Sequence, residues 1–195
     1  FSLLCFTLFA TAQIVKIGDK EYIKRVWRTD DGLPQNSVTS IVQTRDGYIW
    51  IGTFGGVARF DGVRFTLFNP GNTPGLSGNR IFSLYEDDSG ELWIGFESGG
   101  MARYANGKFT SYTAKDGAPD GSYRISHRDQ NGRLWFATIV SNLNESRINV
   151  FADGKFKTFT ADDGLPDTVV ALARDRDGKV WASTQSGLYV YENEK

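Results

Sequence analysis

This chain of 195 residues carries 22 basic and 23 acidic side chains, and its net charge of −1 gives no basic surface for the phosphate backbone of a nucleic acid. Forty per cent of the residues are hydrophobic and 14% are aromatic, which is typical of a globular protein with a packed core. A nucleic-acid partner is therefore not expected.

The first predicted element is an apolar leader over residues 1–12. The run from Phe1 to Ala10 is too short to span a bilayer comfortably, and Ala10-Thr11-Ala12 has the small-x-small pattern of a cleavage site. Because a basic start and an initiating Met are missing, we expect a secretory signal peptide that is incomplete at its N-terminus. A buried first strand is the alternative. The signal peptide predicts a periplasmic or extracellular location for the remainder, residues 13–195.

A strand is predicted next, over residues 20–29, ahead of the Gly-Leu-Pro segment at residues 32–34. Its position relative to the first Gly-Leu-Pro segment corresponds to that of Lys155–Ala161 relative to the Gly-Leu-Pro segment of the fourth repeat. We therefore interpret it as an outermost strand whose own sheet is not formed by the residues around it. Pairing of this strand with the last repeat would join the two ends of the chain and cover open sheet edges.

Four repeats then follow, each carrying one tryptophan after an Asp-Gly, Ser-Gly or Asn-Gly turn. The tryptophans are separated by 43, 42 and 46 residues, and strand repeats with a period of roughly 40–50 residues are typical of β-propeller blades. Glycine turns between Val-, Ile- and aromatic-rich runs predict four short antiparallel strands per repeat. The predicted blades cover about residues 35–69, 78–113, 121–161 and 167–192. In the third, residues 139–148 replace a compact glycine turn, which predicts a longer link.

The predicted fold class is therefore all-β, a β-propeller of four-stranded antiparallel blades with about four blades present. The tryptophans are Trp50, Trp93, Trp135 and Trp181. A blade has two apolar faces, so we interpret each tryptophan as packing between neighbouring blades. The four blades either close into a small ring or form part of a larger one.

One face of such a propeller is the predicted ligand site. In a meander, the link into each blade and the loop between its second and third strands lie on one face, and the Asp-Gly turns lie on the other. Functional residues concentrate on loops that a rigid scaffold holds. The candidate side chains on this loop face are Asn36, Phe54, Asn79, Arg80, Glu97, Arg124 and Gln185. Such groups can hydrogen-bond and stack against a sugar, while the alternative for each is a structural role in its loop.

Neither a metal site nor a cofactor is predicted. Asp175-Arg176-Asp177-Gly178 lacks the spaced ligands and the final Glu of a calcium loop, and His127 has no Cys or His partner. The stretch Asp87–Trp93 resembles the aspartate box of sialidases, which is a structural turn. Glu97 with Arg80 could form an acid–base pair, so a propeller lyase or glycosidase is one alternative function. A secreted scaffold for protein–protein interaction is another.

The segments Trp27–Val38, Asp46–Thr53 and Gly56–Gly62 closely resemble the two-component regulator propeller repeat, and the resemblance covers about residues 20–192. It implies a periplasmic, ligand-binding β-propeller in a membrane sensor such as a histidine kinase or diguanylate cyclase, with an oligosaccharide or another polar small molecule as ligand. It also favours a seven-bladed ring, a homodimer formed through the full-length sensor, and membrane attachment only through downstream segments. The chain itself is predicted not to be an enzyme, since His127 lies on a predicted strand and not on a helical phosphoacceptor hairpin.

Overall fold

The computed structural model describes residues 13–140, 145–160, 163–164 and 168–191. The predicted signal peptide lies outside the described residues. A two-stranded sheet at the N-terminal end joins β1 (Gln13–Ile17) to β2 (Lys20–Lys24). A 3₁₀ turn at Thr29–Asp31 leads from it into the first repeat. No helix in these ranges has the length and apolar character needed to cross a membrane.

Four antiparallel meander sheets follow, one for each repeat. The first contains β3 (Val38–Gln43), β4 (Ile49–Thr53), β5 (Gly56–Phe60) and β6 (Phe65–Phe68). The second contains β7 (Ile81–Glu86), β8 (Leu92–Phe96), β9 (Met101–Ala105) and β10 (Lys108–Tyr112). The third contains β11 (Ser122–Arg128), β12 (Leu134–Val140), β13 (Glu145–Ala152) and β14 (Lys155–Phe159). The fourth contains, within the described residues, β15 (Val169–Arg174), β16 (Val180–Thr184) and β17 (Leu188–Tyr191). The predicted propeller of four-stranded antiparallel blades is confirmed.

The first strand of each blade is the innermost. Strand β3 lies beside β7, β7 beside β11, and β11 beside β15, so the four blades are arranged around a common side. An innermost strand is a sheet edge and leaves backbone groups without partners in its own sheet. Hydroxyl groups of the preceding blade bind some of these groups. The Thr39 hydroxyl donates to the carbonyl of Ile81 (2.8 Å), and the Ser126 hydroxyl donates to that of Leu172 (3.0 Å).

Ser83 makes two such bonds between the second and third blades. Its hydroxyl donates to the carbonyl of Tyr123 (2.6 Å) and accepts from the backbone N–H of Ile125 (3.0 Å). Ser40 accepts in the same way from the N–H of Leu84 (3.0 Å). All of these hydroxyls point forward along the chain, from one blade to the next.

Tryptophans pack between blades, as the sequence predicts. The side chains of Trp50, Trp93 and Trp135 are buried. Trp50 packs on Phe68 of its own outermost strand (ring centroids 5.4 Å apart) and on Tyr104 of the next blade (4.9 Å). Trp135 packs on Phe159 and Tyr191 in the same arrangement (5.6 and 4.9 Å). The apolar core thus consists of clusters at the blade boundaries.

An aspartate anchors the turn before three of the tryptophans, and two of these aspartates, Asp87 and Asp129, are buried. The indole N–H of Trp93 donates to Asp87 (2.9 Å), that of Trp135 to Asp129 (2.8 Å), and that of Trp181 to Asp175 (2.8 Å). The second carboxylate oxygen of each aspartate accepts backbone N–H groups of the turn. The stretch that resembles an aspartate box therefore forms a structural turn.

The strand predicted over residues 20–29 is shorter and pairs differently. Residues 20–24 form β2, which pairs with β1 across a turn at Gly18 (φ 59°), and all five of its residues are exposed. A local hairpin forms because the two segments are only two residues apart, whereas pairing with the fourth blade would require closure of a long loop. Trp27 lies beyond this hairpin and packs edge-on against Phe60 of the first blade (5.3 Å).

The third blade also differs from its prediction. The longer link expected at residues 139–148 is largely strand, since β12 and β13 pair without interruption from Leu134↔Phe151 to Val140↔Glu145. Residues 141–144 lie outside the described residues. The β-branched residues Thr138, Ile139, Val140 and Ile148 favour extended backbone, which allows both strands to extend.

Candidate ligand-binding face

The loop face is built by the links into the blades and by the loops that follow β4, β8, β12 and β16. Its central cluster, hereafter the Arg80 cluster, consists of Phe54, Arg80 and Glu97. Phe54 directly follows β4 in the first blade, Arg80 directly precedes β7, and Glu97 directly follows β8. The meander order places these three positions on one face, although 43 residues of sequence separate Phe54 from Glu97.

Arg80 holds the cluster together. Its Nε donates a hydrogen bond to the Glu97 carboxylate, and its guanidinium carbon lies 4.4 Å from the centroid of the Phe54 ring. The backbone N–H of Glu97 donates to the carbonyl of Arg80 (2.9 Å), and the Ser122 hydroxyl donates to the carbonyl of Glu97 (2.8 Å). The cluster therefore spans the first two blades and is hydrogen-bonded to the third blade through Ser122. Its ionic groups remain accessible, with 48% of the Arg80 side chain and 32% of the Glu97 side chain exposed.

The ion pair fixes the charge of both groups. The hydrogen bond from Arg80 holds the pKa of Glu97 below its ordinary value, and the same bond raises the pKa of Arg80. Glu97 is thus a hydrogen-bond acceptor near neutral pH and is poorly suited to act as a general acid. The cluster offers fixed donors, fixed acceptors and an aromatic face.

A second arginine–phenylalanine pair lies one blade boundary further along. The guanidinium carbon of Arg124 on β11 lies 5.9 Å from the ring centroid of Phe82 on β7, and its Nη1 donates to the carbonyl of Val170 on β15 (3.3 Å). Arg124 is exposed. Within the described ranges no carboxylate forms an ion pair with it. Its positive charge is therefore available to a ligand.

The other predicted site residues do not join these pairs. The side-chain oxygen of Asn36 accepts from the backbone N–H of Thr29 (2.9 Å), which gives it a structural role before the first blade. Asn79 and Gln185 are exposed on the loop face, and no hydrogen bond between either side chain and the Arg80 cluster is seen in the part of the chain that is described.

Phe82, which lies beneath the Arg124 guanidinium, is a candidate site residue that the sequence analysis did not name. The corresponding inner-strand positions hold Thr39, Arg124 and Val170, so an aromatic side chain that is only half buried there departs from the repeat pattern. That departure is the signal that could have revealed it.

His127 is remote from ligand chemistry. It is buried on β11, its ring stacks on Trp135 (6.4 Å between centroids), and its Nδ1 lies 3.0 Å from the Ser126 hydroxyl. Burial lowers its pKa to about 4. No group of three or more His, Cys, Asp or Glu residues suitable for a metal ion is found in the described ranges.

Comparison with known sequences identifies two of the repeats. Residues 32–55 and 75–98 match the family described as Two component regulator propeller, in agreement with the predicted resemblance. A stretch of 79 residues, 40% of this chain, is 32% identical to Histidine kinase P4 from Formosa agariphila and covers 6% of that protein.

Solved structures share the fold. The extracellular domain described as belonging to the hybrid two component system BT3049 of B. thetaiotaomicron superposes with a TM-score of 0.71 at 24% identity, over 90% of this chain and 24% of that one. The extracellular domain of BT4673, described as a one component system from the same organism, gives 0.63 at 21% identity, over 89% and 25%. Virginiamycin B lyase from Staphylococcus aureus gives 0.59 at 16% identity, over 94% and 63%. At these identities the likeness shows the propeller fold alone, and this chain spans about a quarter of the two extracellular domains.

Proposed function

We propose that this chain, two of whose repeats match the family described as Two component regulator propeller, is the extracytoplasmic, ligand-binding part of a sensor protein. Its ligand is an oligosaccharide or a related polar small molecule that binds on the loop face. The output domain lies outside these 195 residues.

The Arg80 cluster carries this proposal. A half-buried aromatic ring, a guanidinium and an ionised carboxylate converge there from two blades. Sugar rings present apolar C–H faces and hydroxyl groups, so they can stack on Phe54 and exchange hydrogen bonds with both charged groups. Because Arg80 and Glu97 already neutralise each other, the cluster suits uncharged hydroxyl groups. The free charge of Arg124 suits an acidic substituent nearby.

Signalling follows from the position of the cluster across blade boundaries. A ligand that bridges Phe54 and Arg80 changes the free energy of one arrangement of the first two blades relative to others. A ligand shifts such an equilibrium only as far as its affinities for the two arrangements differ. A homodimer of the full-length sensor would transmit that shift to the output domain.

A thermal-shift screen against neutral and acidic oligosaccharides tests the proposal. A ligand at a hundred times its Kd adds about 2.7 kcal/mol to the free energy of unfolding, which for a chain of this size raises the melting temperature by roughly 5–10 °C. We expect Arg80→Ala to abolish the shift and Arg124→Ala to weaken it only for acidic ligands.

Arg176→Ala is the matched control, because Arg176 is an exposed arginine in an Asp-Gly turn on the opposite face. It should leave the shift unchanged. A shift that persists in Arg80→Ala, or that Arg176→Ala removes, would place the ligand elsewhere and overturn the assignment to the loop face.

A further inference from the structure

Two arginines hold the same position in the first and second blades. Arg59 on β5 lies opposite Trp50, and Arg103 on β9 lies opposite Trp93. The Arg103 guanidinium forms an ion pair with Glu91 (3.3 Å), which stands two residues before the tryptophan of its blade. The second blade therefore supplies a counterion for its own arginine.

The first blade keeps the arginine without the carboxylate. Tyr48 holds the position of Glu91, and the centroid of its ring lies 4.4 Å from the guanidinium carbon of Arg59. The carboxylates of the adjoining turns, Asp46 and Asp61, accept hydrogen bonds within their own turns. In the part of the chain that the structure describes, no carboxylate forms an ion pair with Arg59. The described residues thus leave the charge of this arginine without a counterion.

Aromatic rings hold the Arg59 side chain between the first two blades. Its guanidinium carbon lies 5.7 Å from the Trp50 ring and 5.8 Å from the Phe68 ring, and its Nη1 lies 3.5 Å from the Tyr104 hydroxyl of the second blade. The residue is only half-buried. Its Nε has no hydrogen-bond partner among the described residues, and the same is true of Arg103, so the two arginines differ in the partners of their terminal Nη groups. Cation–π contacts fix the guanidinium of Arg59 and leave Nη donors for an anion.

An open groove adjoins Arg59 at the rim of the first blade boundary. Its volume is about 600 Å³, which is within the range of small-molecule sites. Phe68, which lies beside the Arg59 guanidinium, forms part of its wall, and the Phe109 ring of the second blade lies 5.2 Å from the Phe68 ring. The lining also includes Leu67, Thr73, Pro74 and Lys108. The groove thus continues from the arginine along an apolar and aromatic surface.

One wall of the groove is a connector that departs from the repeat pattern. Six residues (69–74) join β6 to Gly75, whereas four residues (113–116 and 160–163) stand at this place in the connectors into the third and fourth blades. The Asn72 side chain hydrogen-bonds the backbone at two positions, which fixes the longer loop. Insertions in a repeat commonly form binding loops.

Lys108 brings a second positive charge to the groove. It is exposed, and within the described ranges no carboxylate forms an ion pair with it. Arg59 and Lys108 therefore present a guanidinium and an ammonium group beside apolar rings. Hydrogen bonds from such cations to an oxyanion are about twice as strong as those between neutral groups. The charge of the groove thus favours an anionic ligand.

We propose that the groove between the first two blades is a second binding site, for a small organic acid whose carboxylate binds Arg59 and Lys108 and whose apolar ring lies on Phe68 and Phe109. The carboxylate of the ligand takes the role that Glu91 has in the second blade. Because Tyr48 follows an Asp-Gly turn, the arginine end of this site lies toward the turn face. The site is therefore separate from the Arg80 cluster, and its test does not depend on the ligand of the loop face.

A titration with phenylacetate tests the chemistry of the groove. Phenylacetate has a carboxylate and an aromatic ring, phenylacetamide has the same shape without the charge, and acetate has the charge without the ring. We expect phenylacetate to bind the chain at least about tenfold more tightly than either control, measured by ligand-observed NMR at constant ionic strength. Equal affinity of phenylacetate and either control would overturn the proposal, because the charge or the ring would then contribute nothing.

Substitutions test the position of the ligand. Arg59→Gln and Lys108→Gln each remove one charge and should weaken the binding of phenylacetate at least about tenfold. Tyr48→Glu gives Arg59 the internal carboxylate that Arg103 has, and it should weaken binding as much. Arg64→Gln is the matched control, since Arg64 is an exposed arginine between β5 and β6 of the same blade. It should leave the affinity unchanged.

A cooperative melt of each variant identifies the variants that fold. Lys108→Gln changes an exposed side chain and keeps the proposal testable if Arg59→Gln does not fold. Unchanged affinity in either folded variant, or a loss of affinity in Arg64→Gln, would place phenylacetate elsewhere and overturn the proposal. Absence of phenylacetate binding to the unsubstituted chain would do the same.

Discussion

His127 is the single histidine of the chain, and its burial makes folding sensitive to acid. Its neighbours are the Ser126 hydroxyl, the Trp135 ring, and the charges of Arg174 and Asp129. Burial and Arg174 disfavour the protonated ring, Asp129 favours it, and the balance lowers the pKa from 6.5 to about 4. The unfolded chain therefore binds a proton at a higher pH than the folded chain does.

The sign of the resulting pH dependence is fixed. Above pH 6.5 the His127 ring is neutral in the folded and in the unfolded state, so its protonation does not change the free energy of unfolding. Between pH 6.5 and 4 only the unfolded state binds a proton there, so the free energy of unfolding falls as the pH is lowered. Between pH 7 and 4.5 this effect removes roughly 2 kcal/mol from the free energy of unfolding. Urea denaturation should show a smaller loss over that interval in His127→Phe. Carboxylates contribute equally to both proteins, so an identical loss would contradict the pKa of about 4.

The candidate site illustrates what sequence can predict at the scale of a residue. The loop face follows from the meander and its turns, so Phe54, Arg80, Glu97 and Arg124 could be placed on it. The pair of Arg80 and Glu97 was suggested by the sequence, whereas the stacking of Arg80 on Phe54 and of Arg124 on Phe82 could not be predicted, because it depends on side-chain conformations and on the angle between blades. Asn36 has the polarity expected of a site residue, yet its oxygen is occupied by the backbone of Thr29.

Among the elements, the innermost strands depend on hydroxyl groups for their pairing across blades. Ser83 bonds to both the carbonyl of Tyr123 and the N–H of Ile125, and Ser83→Ala leaves these two buried backbone groups without that partner. We expect a loss of about 2 kcal/mol in the free energy of unfolding, measured by urea denaturation. Ser89→Ala is the matched control, since Ser89 is exposed in the turn of the same blade. A loss no larger than that of the control would show that water replaces the hydroxyl.

Secondary structure was predictable where local chemistry decides it. Asp-Gly and Asn-Gly turns impose positive φ angles, such as those of Gly47, Gly132 and Gly178, and so define the strands between them. The partner of β2 was not predictable in this way, because a strand pattern does not show which edge the strand will join. The extended ladder of β12 and β13 was missed because the absence of a glycine turn was interpreted as a loop.

At the scale of the whole molecule, stability is distributed along an array of neighbouring contacts. Strand β8 lies between two blade boundaries and all five of its residues are buried, whereas β16 in the fourth blade has three half-buried residues among five. Local opening should therefore be easier at the fourth blade. Hydrogen exchange followed by mass spectrometry should show peptides of β16 exchanging at least about tenfold faster than those of β8. Similar rates would indicate that the four blades unfold as one unit.

The forward direction of the hydroxyl bonds gives the array a polarity. At the innermost strands, hydroxyl groups of one blade bind backbone groups of the next blade, as in the bonds from Thr39 to Ile81 and from Ser126 to Leu172. Such a contact is heterologous, which means that it joins two different surfaces. A two-fold axis, in contrast, brings the same surface of two copies together. Two copies related by that symmetry could not reproduce a blade boundary through like ends. A two-fold symmetric dimer of this protein would therefore need a contact of a different kind from the contacts between its blades.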